Sequence, residues 1–183
     1  MKVGIPRMTI EEWNRLPDDG NRYELIDGEL LVSPAPKTNH QRVSRRLVTL
    51  LDSFVTSRRL GEVFHAAFDV YLESESQTCV EPDIVFVANQ RLHLIADEGL
   101  RGVPDLVVEI LSESTRRVDL SDKLELYRRT GVPEYWVADP ERRSIAVYRF
   151  ADSDQPRTVV RADTLTSPLF PGLEIQLRSV FDY

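Results

Sequence analysis

Pro104-Asp105-Leu106-Val107-Val108-Glu109-Ile110-Leu111 is the stretch whose reading decides the fold. Its successive leucine, valine and isoleucine positions suit a strand covered on both sheet faces, so it predicts a central strand in an α/β domain. Glu109 is the exception. A buried carboxylate without a partner costs several kcal/mol, so a metal ion, a lysine or a raised pKa has to answer it. Strand alternation sets Asp105, Val107, Glu109 and Leu111 on one face, and the chemistry belongs on that face.

Upstream, residues 63–72 and 80–87 read as two strands that pair antiparallel, with the polar stretch 73–78 turning the chain between them. Farther back, residues 23–26 and 29–32 flank Asp27-Gly28, the pair favoured by type I′ turns, and predict an N-terminal β-hairpin. Thr9 and Glu12 form a capping box that opens a short helix ended by Pro17. Between hairpin and strands, residues 40–59 place Val43, Leu47, Leu50, Leu51 and Phe54 at helical spacing, with Arg42, Arg45 and Arg46 largely on the other side. Downstream of the central strand, residues 116–130 are helical and Gly131 is placed as a C-cap before Pro133. Residues 89–100 suggest a short helix, 134–138 and 144–150 two further strands, and the tail from 151 a polar loop with a late strand at 173–177. The expectation is a single domain over residues 1–183, of α/β class, with a central mixed β-sheet flanked by helices.

Composition agrees with this. The 183 residues are 42% hydrophobic and 29% charged, which excludes a disordered chain or a repeat array, and a single cysteine, Cys79, excludes an intramolecular disulfide. Residues 1–10 lack an apolar signal core, and no segment approaches the roughly 20 apolar residues of a membrane span. With one cysteine, the expected compartment is the cytoplasm, away from any membrane. The net charge of -7 argues against non-specific coating of nucleic acid. Its distribution softens that argument. Lys37, Arg42, Arg45, Arg46, Arg58 and Arg59 face the single acid Asp52 within residues 37–60, giving that segment +5 and the remainder -12. A local basic helix can dock a phosphate backbone, weakly and with strong salt sensitivity.

A second acid, Asp83, heads the apolar strand that follows Pro82, much as Asp105 follows Pro104. Hard cations such as Mg²⁺ prefer carboxylate oxygens and use one or two protein carboxylates with water and phosphate, so Asp83 and Glu109 would suffice as metal ligands. On a helical wheel with Leu120 at zero, Leu124, Tyr127 and Leu126 define an apolar arc, and Lys123, at about 300°, falls inside it. Asp122, Glu125, Arg128 and Arg129 lie on the solvent side. A lysine among leucines either snorkels to the edge or reaches a buried acid. Glu109 is such an acid. His40, at the start of the basic helix, could meet a phosphate, as could Arg42, Arg45 and Arg46, and Ser112 could donate to a bound water or end the strand. His65 and His93 have no partner at metal spacing and read as structural, and Trp13, Tyr135 and Trp136 as core or interface aromatics.

Asp83, Glu109 in an apolar strand and a following lysine resemble the PD-(D/E)XK nuclease superfamily. Residues 23–29, 34–40, 81–83, 104–112, the spacing Asp119 to Lys123 to Tyr127, and 131–136 resemble, more closely, the Uma-type restriction endonuclease family within it. The resemblance implies a restriction-endonuclease-like core, a Mg²⁺-dependent phosphodiesterase acting on nucleic acid, with DNA as the expected substrate and Mn²⁺ as a substitute ion, and a homodimer. It also implies Asp83 and Glu109 as metal ligands with the Ile110 carbonyl beside them, Lys123 as the catalytic lysine, and Glu24 as a further catalytic carboxylate. The sequence departs from the simplest superfamily signature at Leu111, two residues after Glu109, where the lysine would stand; in the Uma-type family it comes from the next helix, where Lys123 lies. Two other readings fit the same residues: a catalytically inactive nucleic-acid or protein binding module of the same fold, and a glycosidase using two carboxylates.

Overall fold

A computed structural model describes residues 7–73, 77–160 and 163–182. The chain begins with α1 (Ile10–Trp13), where Thr9 and Glu12 each accept from the other's backbone N–H, the expected capping box. The hairpin of β1 (Arg22–Ile26) and β2 (Glu29–Ser33) follows in the expected register, with Leu25 opposite Leu30. Asp27 and Gly28 take the left-handed φ of 52° and 78° that a type I′ turn requires. After α2 (Thr38–Arg58) come β3 (Gly61–His65), β4 (Val70–Glu73), β5 (Thr78–Val80) and β6 (Ile84–Ala88). A 3-10 turn (Asn89–Leu94) leads to β7 (Ile95–Ala96), β8 (Gly99–Arg101) and the central β9 (Leu106–Ile110). Then come α3 (Arg116–Leu120), α4 (Asp122–Thr130), β10 (Glu134–Asp139), β11 (Ser144–Arg149), β12 (Ser153–Val160), β13 (Thr164–Leu165), β14 (Ile175–Gln176) and α5 (Leu177–Phe181).

The central sheet runs β12-β11-β10-β9-β6-β3 and is mixed, because β9 pairs parallel with β10 and antiparallel with β6. Its even-numbered positions on β6 and β9 (Ile84, Phe86, Leu106, Val108, Ile110) pack against Val43, Leu47, Leu51 and Val55 of α2. On the opposite face Val85, Val87, Val107 and Leu111 pack with Leu126 and Tyr127 of α4 and with Val70, Val80 and Leu100. Those last three belong to a second sheet, β2-β1-β5-β4-β8-β7, into which the hairpin is built.

Four expectations need correcting. The runs 63–72 and 80–87 do pair antiparallel, but each splits into two short strands in different sheets, β3 and β4, β5 and β6. Pro82 has no N–H to give a ladder, and the preceding Glu81 N–H donates to Glu24 Oε1 instead. The helix read as 116–130 breaks at Ser121, whose hydroxyl donates to the Arg117 carbonyl and competes with the helical pattern. The polar loop expected from 151 contains strand β12, which tolerates Pro156 because it lies at the sheet edge. The late strand shrinks to β14 and passes directly into α5, whose Val180 and Phe181 complete the core under α2. The turn at 73–78 and the N-terminal stretch lie partly outside the described residues, at 74–76 and 1–6.

Candidate active site

Glu109 stands at the buried centre of β9, 2% exposed, on the face away from α2. Lys123 answers it. Its ammonium, also 2% exposed, lies 2.9 Å from Glu109 Oε1, 2.8 Å from Glu24 Oε1 and 3.8 Å from Asp119 Oδ1. The wheel therefore aims Lys123 correctly, although its reference residue Leu120 is 39% exposed, because the break at Ser121 turns α3 away from α4. One turn beyond Lys123, Tyr127 donates its hydroxyl to the same Glu109 Oε1 at 2.9 Å. Both donors engage one oxygen, and among the described residues none is bonded to Oε2.

Asp83 immediately precedes β6, next to the pairing of Ile84 with Val108, which brings it beside the Glu109 end of β9. Its Oδ2 accepts from the Ile110 N–H at 2.7 Å and lies 3.0 Å from His40 Nε2, while Oδ1 accepts from Arg22 at 3.1 Å. Of about four lone-pair positions on a carboxylate, three are taken. Asp105 is different. Because β6 and β9 are antiparallel, the two Pro-Asp pairs sit at opposite ends, and Asp105 accepts from Ala88 N–H as a strand-end tie.

The electrostatics follow from counting charges. Glu24, Asp83, Glu109 and Asp119 are all buried, with Lys123 as the one buried lysine among the described residues and Arg22 at the edge bridging Asp83 and Glu81. Burial raises Glu109, and Asp119, Asp83 and Glu24 add to this against the opposing pull of Lys123, so it reaches about 8. Asp119, raised first by burial, reaches about 6. Burial disfavours the Lys123 ammonium, but Glu109, Glu24 and Asp119 outweigh it and hold the lysine charged far beyond neutrality. One lysine shared among three carboxylates stays cationic and still leaves Glu109 short of countercharge. Asp83 goes the other way: burial opposes its charge, yet the bonds from His40, Arg22 and Ile110 N–H hold it below the usual carboxylate range.

A cleft of about 370 Å³ opens beside Arg22 and His40, the two side chains bonded to Asp83, while Asp83 and Glu109 themselves do not line it. Arg22 and His40 lie at its base, one wall comes from residues 33–37 and the other from 112–115. Ser112, expected near the site, lines this wall and bonds through its hydroxyl to Ser114 and Thr115. Arg42 and Arg45 line a separate groove beside α2 with Thr38 and His65. Arg46 reaches neither, since its guanidinium donates to the Ser179, Val180 and Asp182 carbonyls and holds the end of α5. Trp136 and Tyr135 are fully buried core residues. Arg22 escaped sequence reasoning, and Asp119 and Tyr127 entered it only through their spacing around Lys123, with no role in the site. Arg22 shares strand parity with Glu24, and Asp119 and Tyr127 sit one helical turn either side of Lys123, so period alone carries the signal for all three.

Among the described residues no group of three or more His, Cys, Asp or Glu side chains is arranged to hold a metal ion by itself. Two carboxylates with unfilled positions, Asp83 through Oδ1 and Glu109 through Oε2, fit the alternative shell in which water and phosphate supply the rest. Among the described residues no helix is long and apolar enough to cross a membrane.

Known proteins are similar to this chain. "Uncharacterized protein sll1609" of Synechocystis sp. (strain ATCC 27184 / PCC 6803 / Kazusa) is 26% identical over 107 residues, covering 58% of this chain and 59% of that protein. The chain thus matches little more than half the length of that relative. A crystal structure described as a putative nuclease belonging to DUF820, from Anabaena variabilis ATCC 29413, superposes with a TM-score of 0.79 over 96% of this chain and 98% of the other, at 19% identity, which establishes the shared fold. The profile of the Uma2 family, described as "Putative restriction endonuclease", matches residues 10–178, and the chain belongs to that family.

Proposed function

We propose that the protein is a divalent-metal-dependent endonuclease that hydrolyses phosphodiester bonds in DNA. The observation that carries this reading is the uncompensated buried acid: Glu109, with one oxygen tied by Lys123 and Tyr127 and no donor among the described residues bonded to the other, near Asp83, whose partners Arg22 and His40 line a cleft. Asp83 and Glu109 would hold Mg²⁺ or Mn²⁺. Such an ion, when bound, polarises the phosphate and lowers the pKa of a water ligand. Lys123 is kept cationic by its three carboxylates. Its role is therefore to fix Glu109 and Glu24 and to stabilise negative charge on the phosphate, not to remove a proton. His40, and after it Arg22, hold Asp83 in its charged form against its burial, and Glu24, which also accepts from Glu81 N–H, ties the hairpin to the lysine.

The inactive binding module remains the second reading on one observation: Arg22, His40 and Ile110 N–H already satisfy most of Asp83. Cleavage separates the two. Purified protein with Mg²⁺ or Mn²⁺ should cut DNA, and Asp83→Ala, Glu109→Gln and Lys123→Ala, checked for folding by circular dichroism, should each lower the rate at least 10³-fold, an effect of about 4 kcal/mol. Equal cutting by all three variants identifies a contaminant and removes the proposal. Metal binding without cutting favours the module.

A further inference from the structure

Strand β2 ends the second sheet and has β1 as its one partner there. Because only Asp27 and Gly28 form the turn, Ile26 and Glu29 close the hairpin as a hydrogen-bonded pair, and the ladder alternates from there. Glu29, Leu31 and Ser33 therefore direct their backbone groups towards β1. Leu30 and Val32 direct theirs outwards, and among the described residues nothing bonds to them. The side chains of the same two residues are also out of place. Among the described residues three large hydrophobic side chains are exposed, and Leu30, at 36%, and Val32, at 54%, are two of them. A bare edge of this kind is a template for a further strand, and edges that are to stay single carry lysine, proline or a bulge. None of these lies within β2, and Pro34 comes just after it.

The strand fits a second copy of itself. Antiparallel pairing about a two-fold axis at Leu31 sets Leu30 against the partner's Val32, Val32 against the partner's Leu30, and Glu29 against the partner's Ser33. Both outward-facing residues are then used, each pair exchanging its two N–H···O bonds, and the aliphatic side chains of both copies meet on one face. No like charges lie opposite each other. A shift of two residues in either direction sets Val32 against the turn residue Gly28 or Leu30 against Pro34, which has no N–H to give. An isologous contact of this kind uses up the edge in both copies and closes at two subunits. Five residues are far fewer than the roughly 20–30 per side of a standard interface, so the association is expected to be weak and concentration-dependent.

We propose that β2 is a self-pairing edge through which two copies of this chain form a symmetric dimer with one continuous sheet. The proposal stands apart from the phosphodiesterase reading and is tested without DNA. Sedimentation velocity of the full chain is followed across the micromolar range, and the average mass is expected to rise from that of one chain towards that of two. Val32→Lys, at an exposed position, is expected to raise the dimer dissociation constant at least tenfold with an unchanged melting temperature. Cross-linking reads the register. At the two-fold, Leu31 faces its own copy as a non-hydrogen-bonded pair, with Cα atoms about 4.5 Å apart, within disulfide reach. Leu31→Cys is expected to oxidise to a covalent dimer, and Leu30→Cys mixed with Val32→Cys to cross-link at least tenfold faster than either alone. Cys79, the single cysteine of the chain, is buried and does not compete. A chain that stays monomeric throughout overturns the proposal and leaves the edge to another occupant, residues 1–6 of the same chain among them. A dimer that Val32→Lys leaves intact places the contact elsewhere and overturns it too, as does Leu30→Cys cross-linking alone as readily as in the mixture.

Discussion

The two faces of β9 were built to different rules. On one, Leu106, Val108 and Ile110 meet Val43, Leu47 and Leu51 of α2 in a close-packed apolar layer. On the other, one residue out of step, Glu109 brings Lys123, Tyr127, Glu24, Asp119 and Asp83 into an ionic cluster. The first face lowers the energy of the fold through burial. The second holds more carboxylates than cations at equal depth, and replacing the whole ionic set by well-packed apolar residues of similar volume would be as stable or more so. The contrast separates the part of the strand that supports the fold from the part on which the proposed function rests.

Removing the central residue of each face gives the largest test. Lys123→Ala leaves three buried carboxylates without their lysine and should cost about 3–5 kcal/mol by denaturant unfolding, with cleavage lost. Leu47→Ala opens a cavity on the opposite face and should cost about 2–5 kcal/mol, with cleavage retained below the new melting temperature. Similar stability losses with opposite effects on activity keep the two faces distinct. If Leu47→Ala also abolished cleavage by folded protein, the distinction would fail.

A smaller effect concerns pH. Glu109 holds its proton up to about 8 in the fold and loses it near 4.5 in the unfolded chain, so between those values the native state binds the extra proton. Stability of the metal-free protein should therefore fall as pH rises across this window, by at most about 1.4 kcal/mol per pH unit for one such carboxylate. Glu109→Gln should flatten the slope, leaving the part due to Asp119, which ends near 6. Mg²⁺ should stabilise the wild-type protein more at pH 8 than at pH 6. An equal slope in wild type and variant would mean that the acid titrates normally and that the cluster is balanced.

How much of this was legible depended on whether neighbours in sequence or in space set the structure. The β9 strand, the hairpin at Asp27-Gly28, the long α2 and the Gly131 cap are encoded within a few residues, and they form as read. Lys123 was legible because a wheel reports direction, and Glu109 because a lone charge interrupts an apolar run. Crossing between sheets was not legible at Ala66 or Glu81, because both sides of each crossing are apolar and only the second sheet decides the break. Asp119 and Arg22 look like ordinary surface charges until the lysine and Asp83 are placed beside them. Arg46 shows the reverse failure: it sits on a basic helix face, and only the fold of α5, 130 residues later, reveals that its donors are committed.

Tyr127→Phe tests the contrast most finely. The ring packs 4.9 Å from Tyr135, centroid to centroid, and phenylalanine preserves that contact; what is removed is the hydroxyl that shares Glu109 Oε1 with Lys123. Burial and the neighbouring Glu109 keep the phenol protonated and a donor throughout the working pH range. Losing one such bond should cost about 1 kcal/mol of stability, within the range of any conservative core change. The informative readout is the metal titration of cleavage. Two donors on Oε1 fix the carboxylate, with no donor among the described residues bonded to Oε2. With one, Glu109 can rotate towards the lysine, and the Mg²⁺ concentration giving half-maximal rate should rise several-fold while the saturated rate changes less. A stability loss with an unmoved Mg²⁺ midpoint would assign Tyr127 to packing alone, and would place it with the apolar face of the strand despite its hydrogen bond to Glu109.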